Sequence, residues 1–169
     1  MKKSLFFFLS LSLFFASCGG SSEEAEQAEE TTTEESAPAA AAPSNEATLA
    51  ITGGDDMKYD LTELKATEGQ TVKLTLTHSG KMPKESMGHN WVLLAAGTDV
   101  DAFAKEAINA KDNDYIPAAL ASSVIAHTKT IGGGETTDVT FTAPAKGTYD
   151  FICTFPGHYA MMRGKLIVE

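Results

Sequence analysis

Positive charge is what this sequence is shortest of. Lys and Arg number 13 against 23 Asp and Glu, for a formal net charge of −10. A phosphate backbone needs a basic face, so a nucleic-acid partner is excluded. No internal repeat is visible. The longest apolar run, Leu5 to Phe15, is interrupted by Ser10 and Ser12 and is too short to span a bilayer comfortably. Between Gly19 and Glu46 there is no Lys, no Arg, no aromatic residue and no large aliphatic one, while eight Glu are present. Such a segment cannot bury enough apolar surface to offset its ordering entropy, so a disordered spacer is expected there. The tether carries most of the negative charge. From Ala47 onward there are 15 acidic and 11 basic residues, a balance of −4. A length of 169 residues allows one domain and at most a small second one.

What is present begins with an address. Lys2 and Lys3 precede the apolar run, and the small residues Ala16 and Ser17 lead to Cys18, which is the layout of an export signal. The stretch Phe15-Ala16-Ser17-Cys18 resembles a bacterial lipoprotein processing box, with Phe15 where that family usually has Leu. The resemblance implies cleavage before Cys18, acylation of Cys18 and attachment to a membrane through the lipid. Each buried methylene of such chains contributes about 0.8 kcal/mol. The expected organisation is a signal over residues 1–17, a lipidated cysteine and acidic tether over 18–46, and a folded domain over 47–169. The domain would then be exported, periplasmic or displayed at the cell surface.

The domain reads as β. Leu49-Ala50-Ile51 alternates and stops at Gly53-Gly54. Val72, Leu74 and Leu76 alternate with Thr and Lys, the period-two pattern of a half-buried strand. His89 to Leu94 is nearly continuous and apolar, as in a sandwich core. Val139 and Phe141 form a further alternating set, as do Tyr149, Phe151 and Cys153, and Leu166 and Val168 close the chain. An antiparallel sandwich of about seven or eight strands is expected. Val100, Phe103, Ala104 and Ala107 fall instead at helical spacing behind Asp99, a capping residue. One helix is expected over Val100–Ala110, inside an insertion reaching about Pro117.

The chemistry concentrates in Cys153-Thr154-Phe155-Pro156-Gly157-His158-Tyr159-Ala160-Met161-Met162. A thiol, an imidazole and thioethers share one tight loop between two expected strands. Pro156 and Gly157 would turn the chain so that Cys153 and His158 face one point. Soft sulfur ligands with imidazole suit copper, and a His₂Cys set with a weak axial Met marks a blue-copper site. Zinc fits less well, because catalytic zinc favours harder or more nitrogen-rich ligation and an open water position. The second histidine must come from elsewhere, and His89 in Met87-Gly88-His89-Asn90-Trp91 is the natural candidate.

The pattern Cys-x₄-His-x₃-Met, its Cys-Thr-Phe-Pro-Gly-His core, the upstream Met-Gly-His-Asn-Trp-Val and the stretch Val124-Ile125-Ala126-His127-Thr128-Lys129 together resemble the azurins, a family of single-copper electron carriers. The likeness runs from about Leu49 to the end of the chain. It implies a Greek-key cupredoxin sandwich and one copper cycling between two oxidation states. His89, Cys153 and His158 are then the equatorial ligands, Met162 the distant axial sulfur, and the Gly88 carbonyl a weak contact opposite. Met162 rather than Met161 has the matching spacing. Asn90 would brace the two ligand loops, and the backbone N–H groups of Asn90 and Phe155 would point at the sulfur.

The resemblance also implies an apolar docking patch around His158. Met57, Met82 and Met87 would contribute from one side. Phe155, Pro156, Gly157, Ala160 and Met161 would contribute from the ligand loop. Ser86 stands where an apolar residue is usual. Partners would be redox proteins such as c-type cytochromes or terminal reductases and oxidases. His78 and His127 match histidines that do not bind metal: His78 is expected buried or half-buried near the site, His127 at the surface. Azurins usually carry a disulfide, whereas Cys18 and Cys153 are the only cysteines here and both have other assignments. An enzyme with a second, catalytic copper needs several more histidines than the four present. A dinuclear copper centre needs two cysteines on one loop. A copper-delivery module remains the alternative function.

Overall fold

A computed structural model describes residues 45–169. The export signal, Cys18 and almost all of the expected tether lie outside the described residues. Within them are eight strands: β1 (Glu46–Gly53), β2 (Glu63–Ala66), β3 (Thr71–His78), β4 (Val92–Leu94), β5 (Val124–His127), β6 (Thr136–Thr142), β7 (Gly147–Ile152) and β8 (Arg163–Val168). They form two sheets, ordered β1-β3-β6 and β2-β8-β7-β4-β5. The eight-stranded sandwich is as expected. The wholly antiparallel arrangement is not: β1 runs parallel to β3, and β2 parallel to β8. The chain leaves β1 for the opposite sheet before returning as β3, and a parallel neighbour requires such a crossover.

The alternating sequences do what their period dictates. In β3, Val72, Leu74 and Leu76 are fully buried while the intervening residues are partly or wholly exposed. They share the main core with Leu64, Leu93, Phe151 and Leu166 of the facing sheet and with Trp91 just before β4. At about 25 cal/mol per Å² of apolar area, each such side chain contributes about 1.5–3 kcal/mol by leaving water.

The continuous apolar run at β4 has a different cause. Leu93 faces the main core, whereas Val92 and Leu94 face a second cluster with Phe103, Ile116 and Ile152. Helix α2 (Val100–Ala107) supplies Phe103 and covers the outer face of β4. Both faces are dry, so neither can be polar. Asp99 caps α2 by accepting from the Ala102 N–H at 3.0 Å. The helix stops at Ala107 rather than running to Ala110. There the N–H groups of Asn109 and Ala110 turn to the carbonyls of Glu106 and Ala107, three residues back, and tighten the last turn. A second, one-turn helix, α1 (Lys84–Met87), was not legible from spacing.

The strand expected from His89 begins only at Val92. His89 makes an isolated bridge to Ile131, and the Trp91 N–H is taken by the Thr128 hydroxyl at 2.9 Å. Side-chain bonds interrupt the ladder where the polypeptide must present a ligand.

Candidate metal centre

Three loops meet at one end of the sandwich. The first follows α1, where Gly88 precedes His89. A Cβ at Gly88 would lie 2.7 Å from the Lys84 carbonyl oxygen and 2.8 Å from the Phe155 ring, so no larger residue fits. The second is the turn after β1, whose Gly54 carbonyl accepts from His89 Nε2 at 2.9 Å. A carbonyl can only accept, so Nε2 carries the proton and Nδ1 presents a lone pair. His89 Nδ1 is buried and has no partner within the protein.

The third loop connects β7 to β8. Cys153 N–H donates to the Met162 carbonyl (2.9 Å), His158 N–H to Phe155 (3.0 Å), and Met162 N–H to His158 (2.8 Å). Gly157 sits at φ +83°, a left-handed conformation natural to glycine, and turns the chain between Cys153 and His158. Asn90 ties this loop to the first one. Its amide donates to the Thr154 hydroxyl (2.7 Å) and accepts from the Thr154 N–H (2.8 Å), and it also donates to the Asp114 carbonyl (2.7 Å).

The result is a compact donor set. The ligand atoms of His89, Cys153 and His158 all lie within 4.8 Å of one another, and all three residues are buried. Cys153 Sγ is 3.8 Å from His158 Nδ1, and the two imidazole centroids are 5.1 Å apart. Met162 is fully buried beside them. A Cβ built on Gly53 would meet His89 Cδ2 at 2.9 Å and Met162 Cε at 3.0 Å, so both side chains converge on that spot. Met161, one residue earlier, is 56% exposed. Among the described residues, then, the structure brings together the two histidines, the cysteine and the methionine chosen by spacing.

The electrostatics suit a cation. Burial, reinforced by His89 and His78, lowers the His158 pKa to about 4, and burial lowers that of His89 as well. Both rings are therefore neutral near pH 7 and free to ligate. Burial pushes the Cys153 thiol up to about 11, against the pull of the backbone N–H groups of Asn90 and Phe155. A buried thiol of this kind ionises when a bound cation replaces its proton. The unpartnered His89 nitrogen, the two neutral imidazoles and the poised sulfur fit a soft transition metal such as copper.

His78 is fully buried and stacks on His89 with centroids 4.2 Å apart. Its Nδ1 accepts from the Gly80 N–H at 3.1 Å, so its Nε2 donates to the Met87 carbonyl at 2.8 Å. Both nitrogens are occupied. His127 is exposed. In the expected docking patch, Met57 (37%), Met82 (39%) and Met161 are exposed. Gly157 and Ala160 are exposed too, Met87 and Pro156 are half-buried, and Phe155 is buried with its ring 4.7 Å from that of His158. Ser86 is exposed.

Sequence reasoning missed several supports. Tyr59 is buried and its hydroxyl donates to the Asn90 carbonyl. The Asp55 carboxylate accepts from the N–H groups of Lys81 and Met82 and ties their loop to the Gly54 turn. Nothing in the residues that follow Gly53-Gly54 gave a sign of this tie.

Comparison with known proteins agrees with the geometry. Residues 45–169 match the family described as copper binding proteins, plastocyanin/azurin family. The chain is 41% identical to an azurin of Bordetella pertussis over 126 residues, covering 72% of this chain and 83% of that protein. It is 42% identical to the outer membrane protein H.8 of Neisseria gonorrhoeae over 120 residues, 69% of this chain and 64% of that longer protein. The solved structure of auracyanin A, a "blue" copper protein from Chloroflexus aurantiacus, superposes with a TM-score of 0.66 at 39% identity, covering 73% of this chain and 99% of that one. A closed donor cage on a sandwich of this topology, with matching sequence along the whole domain, places this chain in the plastocyanin/azurin family of copper-binding proteins.

Proposed function

We propose that the protein is an electron carrier with one blue copper, which His89, Cys153 and His158 would hold. Met162 would add a thioether to this set and Gly88 a backbone carbonyl. The observation that carries this reading is the buried, partnerless Nδ1 of His89 beside Cys153 and His158. When bound, the copper supplies a one-electron couple between its cupric and cuprous states.

The protein's part is to hold still. Gly54 fixes the His89 ring, Asn90 locks the ligand loop through Thr154, and the N–H groups of Asn90 and Phe155 stabilise negative charge on sulfur. Donors locked this way need not move when the charge at the centre changes. Met57, Met82, Ala160 and Met161 are exposed and would offer partners an apolar surface. Small apolar contacts suit brief encounters with redox proteins, of which c-type cytochromes and terminal reductases or oxidases are the expected classes.

Carriage rather than catalysis is supported by His78, whose two nitrogens are both engaged and so cannot ligate a second metal. Delivery of copper to another protein is the lesser reading, since every donor is buried. Export and lipid attachment through Cys18, with a tether running from residue 18 up to the start of β1, complete the proposal.

Cys153→Ser tests it. The purified parent, oxidised with copper, should show an intense sulfur-to-copper absorption that reduction bleaches, and the variant should not. A variant that keeps the colour would refute the ligand assignment.

A further inference from the structure

Every methionine among the described residues lies outside the strands, in the segments that flank the ligand residues: Met57, Met82, Met87, Met161 and Met162. Met162 belongs to the centre. Met57, Met82 and Met161 are instead among the most exposed large apolar side chains, at 37%, 39% and 56%. Leu or Ile would also give such a surface apolar contact, with less adaptability. A thioether adds what those lack, a soft lone pair that binds Cu(I) and holds harder ions such as Zn(II) or hydrated Cu(II) poorly.

The backbone of each is tied to a turn that carries or orients a ligand. Met57 N–H donates to the Gly54 carbonyl (3.1 Å), the same carbonyl that orients His89. Met82 N–H reaches the Asp55 carboxylate of that turn (3.3 Å). Met161 N–H donates to the carbonyl of His158 (3.0 Å). Inside this rim, His89 and Cys153 are fully buried and His158 is 3% exposed.

The geometry points to a second role for this rim: Met57, Met82 and Met161 form a receiving site for Cu(I), through which the buried centre is loaded. The inference rests on the copper reading above. Entry is a ligand exchange without change of oxidation state. Thioether–Cu(I) bonds break as bonds to Cys153 Sγ, His89 and His158 form, and the Cys153 proton leaves to water. Neutral thioethers hold the ion less tightly than a thiolate with two imidazoles, so affinity increases inward.

The test compares the parent with the triple variant Met57→Leu, Met82→Leu, Met161→Leu, which preserves apolar bulk. Copper-free protein is mixed with a Cu(I)–chelator complex, and separately with Cu(II) salt, and uptake is followed by native mass spectrometry. The variant should load Cu(I) about tenfold more slowly or worse, and load Cu(II) at the parental rate. Copper-filled parent should also take up one further Cu(I) per chain, and the filled variant none. Equal Cu(I) rates, equal slowing for both ions, or no further Cu(I) on the filled parent would overturn the proposal. A parent that never gains the blue absorption with Cu(II) would instead sink the underlying copper reading.

Discussion

At the scale of single residues, the centre is a matter of which nitrogen carries a proton. The Gly54 carbonyl accepts a hydrogen bond from His89 Nε2–H and leaves Nδ1 unprotonated and without a partner. The depressed pKa of His158 has a consequence for the metal-free protein. Unfolded, this histidine titrates near its ordinary value of 6.5; folded, it titrates at about 4. Between these values the unfolded chain binds more protons, so stability rises with pH across the window and falls as pH drops through it. The unfolding temperature of metal-free protein should therefore decrease from pH 6.5 to pH 4, and NMR titration of His158 should give a midpoint near the lower end. An unchanged midpoint of 6.5 would contradict the buried geometry. Asn90 is the second sensitive residue. Asn90→Ala removes its bonds to Thr154 and Asp114 and leaves the Thr154 N–H unpaired. A loss of about 3 kcal/mol is expected in denaturant unfolding of the metal-free form.

At the scale of elements, α2 is cover for β4. Phe103 is 1% exposed against Val92 and Leu94, so Phe103→Ala should cost about 3–5 kcal/mol, by chemical denaturation, with the absorption of the copper form retained. Asp99→Ala, which removes only a cap, should cost about 1 kcal/mol. The strands and this helix were legible because period two and period 3.6 leave different marks in sequence. Val72, Leu74 and Leu76 announce a strand; Val100, Phe103, Ala104 and Ala107 announce a helix. What stayed illegible depends on tertiary partners. The parallel pairing of β1 with β3 follows from where β2 crosses, which no local pattern records. The late start of β4 reflects the Thr128 hydroxyl, a residue far along the chain. Likewise the three side chains that meet were visible through their spacing and context, whereas Gly54, Asp55 and Tyr59 carry no chemical signature until folding gives them partners.

At the scale of the whole molecule, the described residues contain one cysteine, buried at the centre. The sandwich holds together through its two apolar clusters and not through a cross-link. The unfolding temperature of the metal-free domain should be the same with and without a strong reductant. Copper should then raise it in proportion to the logarithm of free metal over Kd, because the cage exists only in the folded state. A reductant-sensitive transition in the metal-free form would show that an unseen bridge contributes.

The direction of β1 has its own consequence. It starts at Glu46, level with Thr71, and after eight residues ends at Gly53, against His89 and Met162. That path covers about 23 Å at the usual strand rise. β8 runs from Arg163, just past Met162, to Val168, level with Ala66. Residue 45 and residue 169 thus share the end remote from the cage. A handle attached at either place, whether an affinity tag, a fusion or a bond to an electrode, grips the molecule by its foot and leaves the metal-bearing tip facing outward.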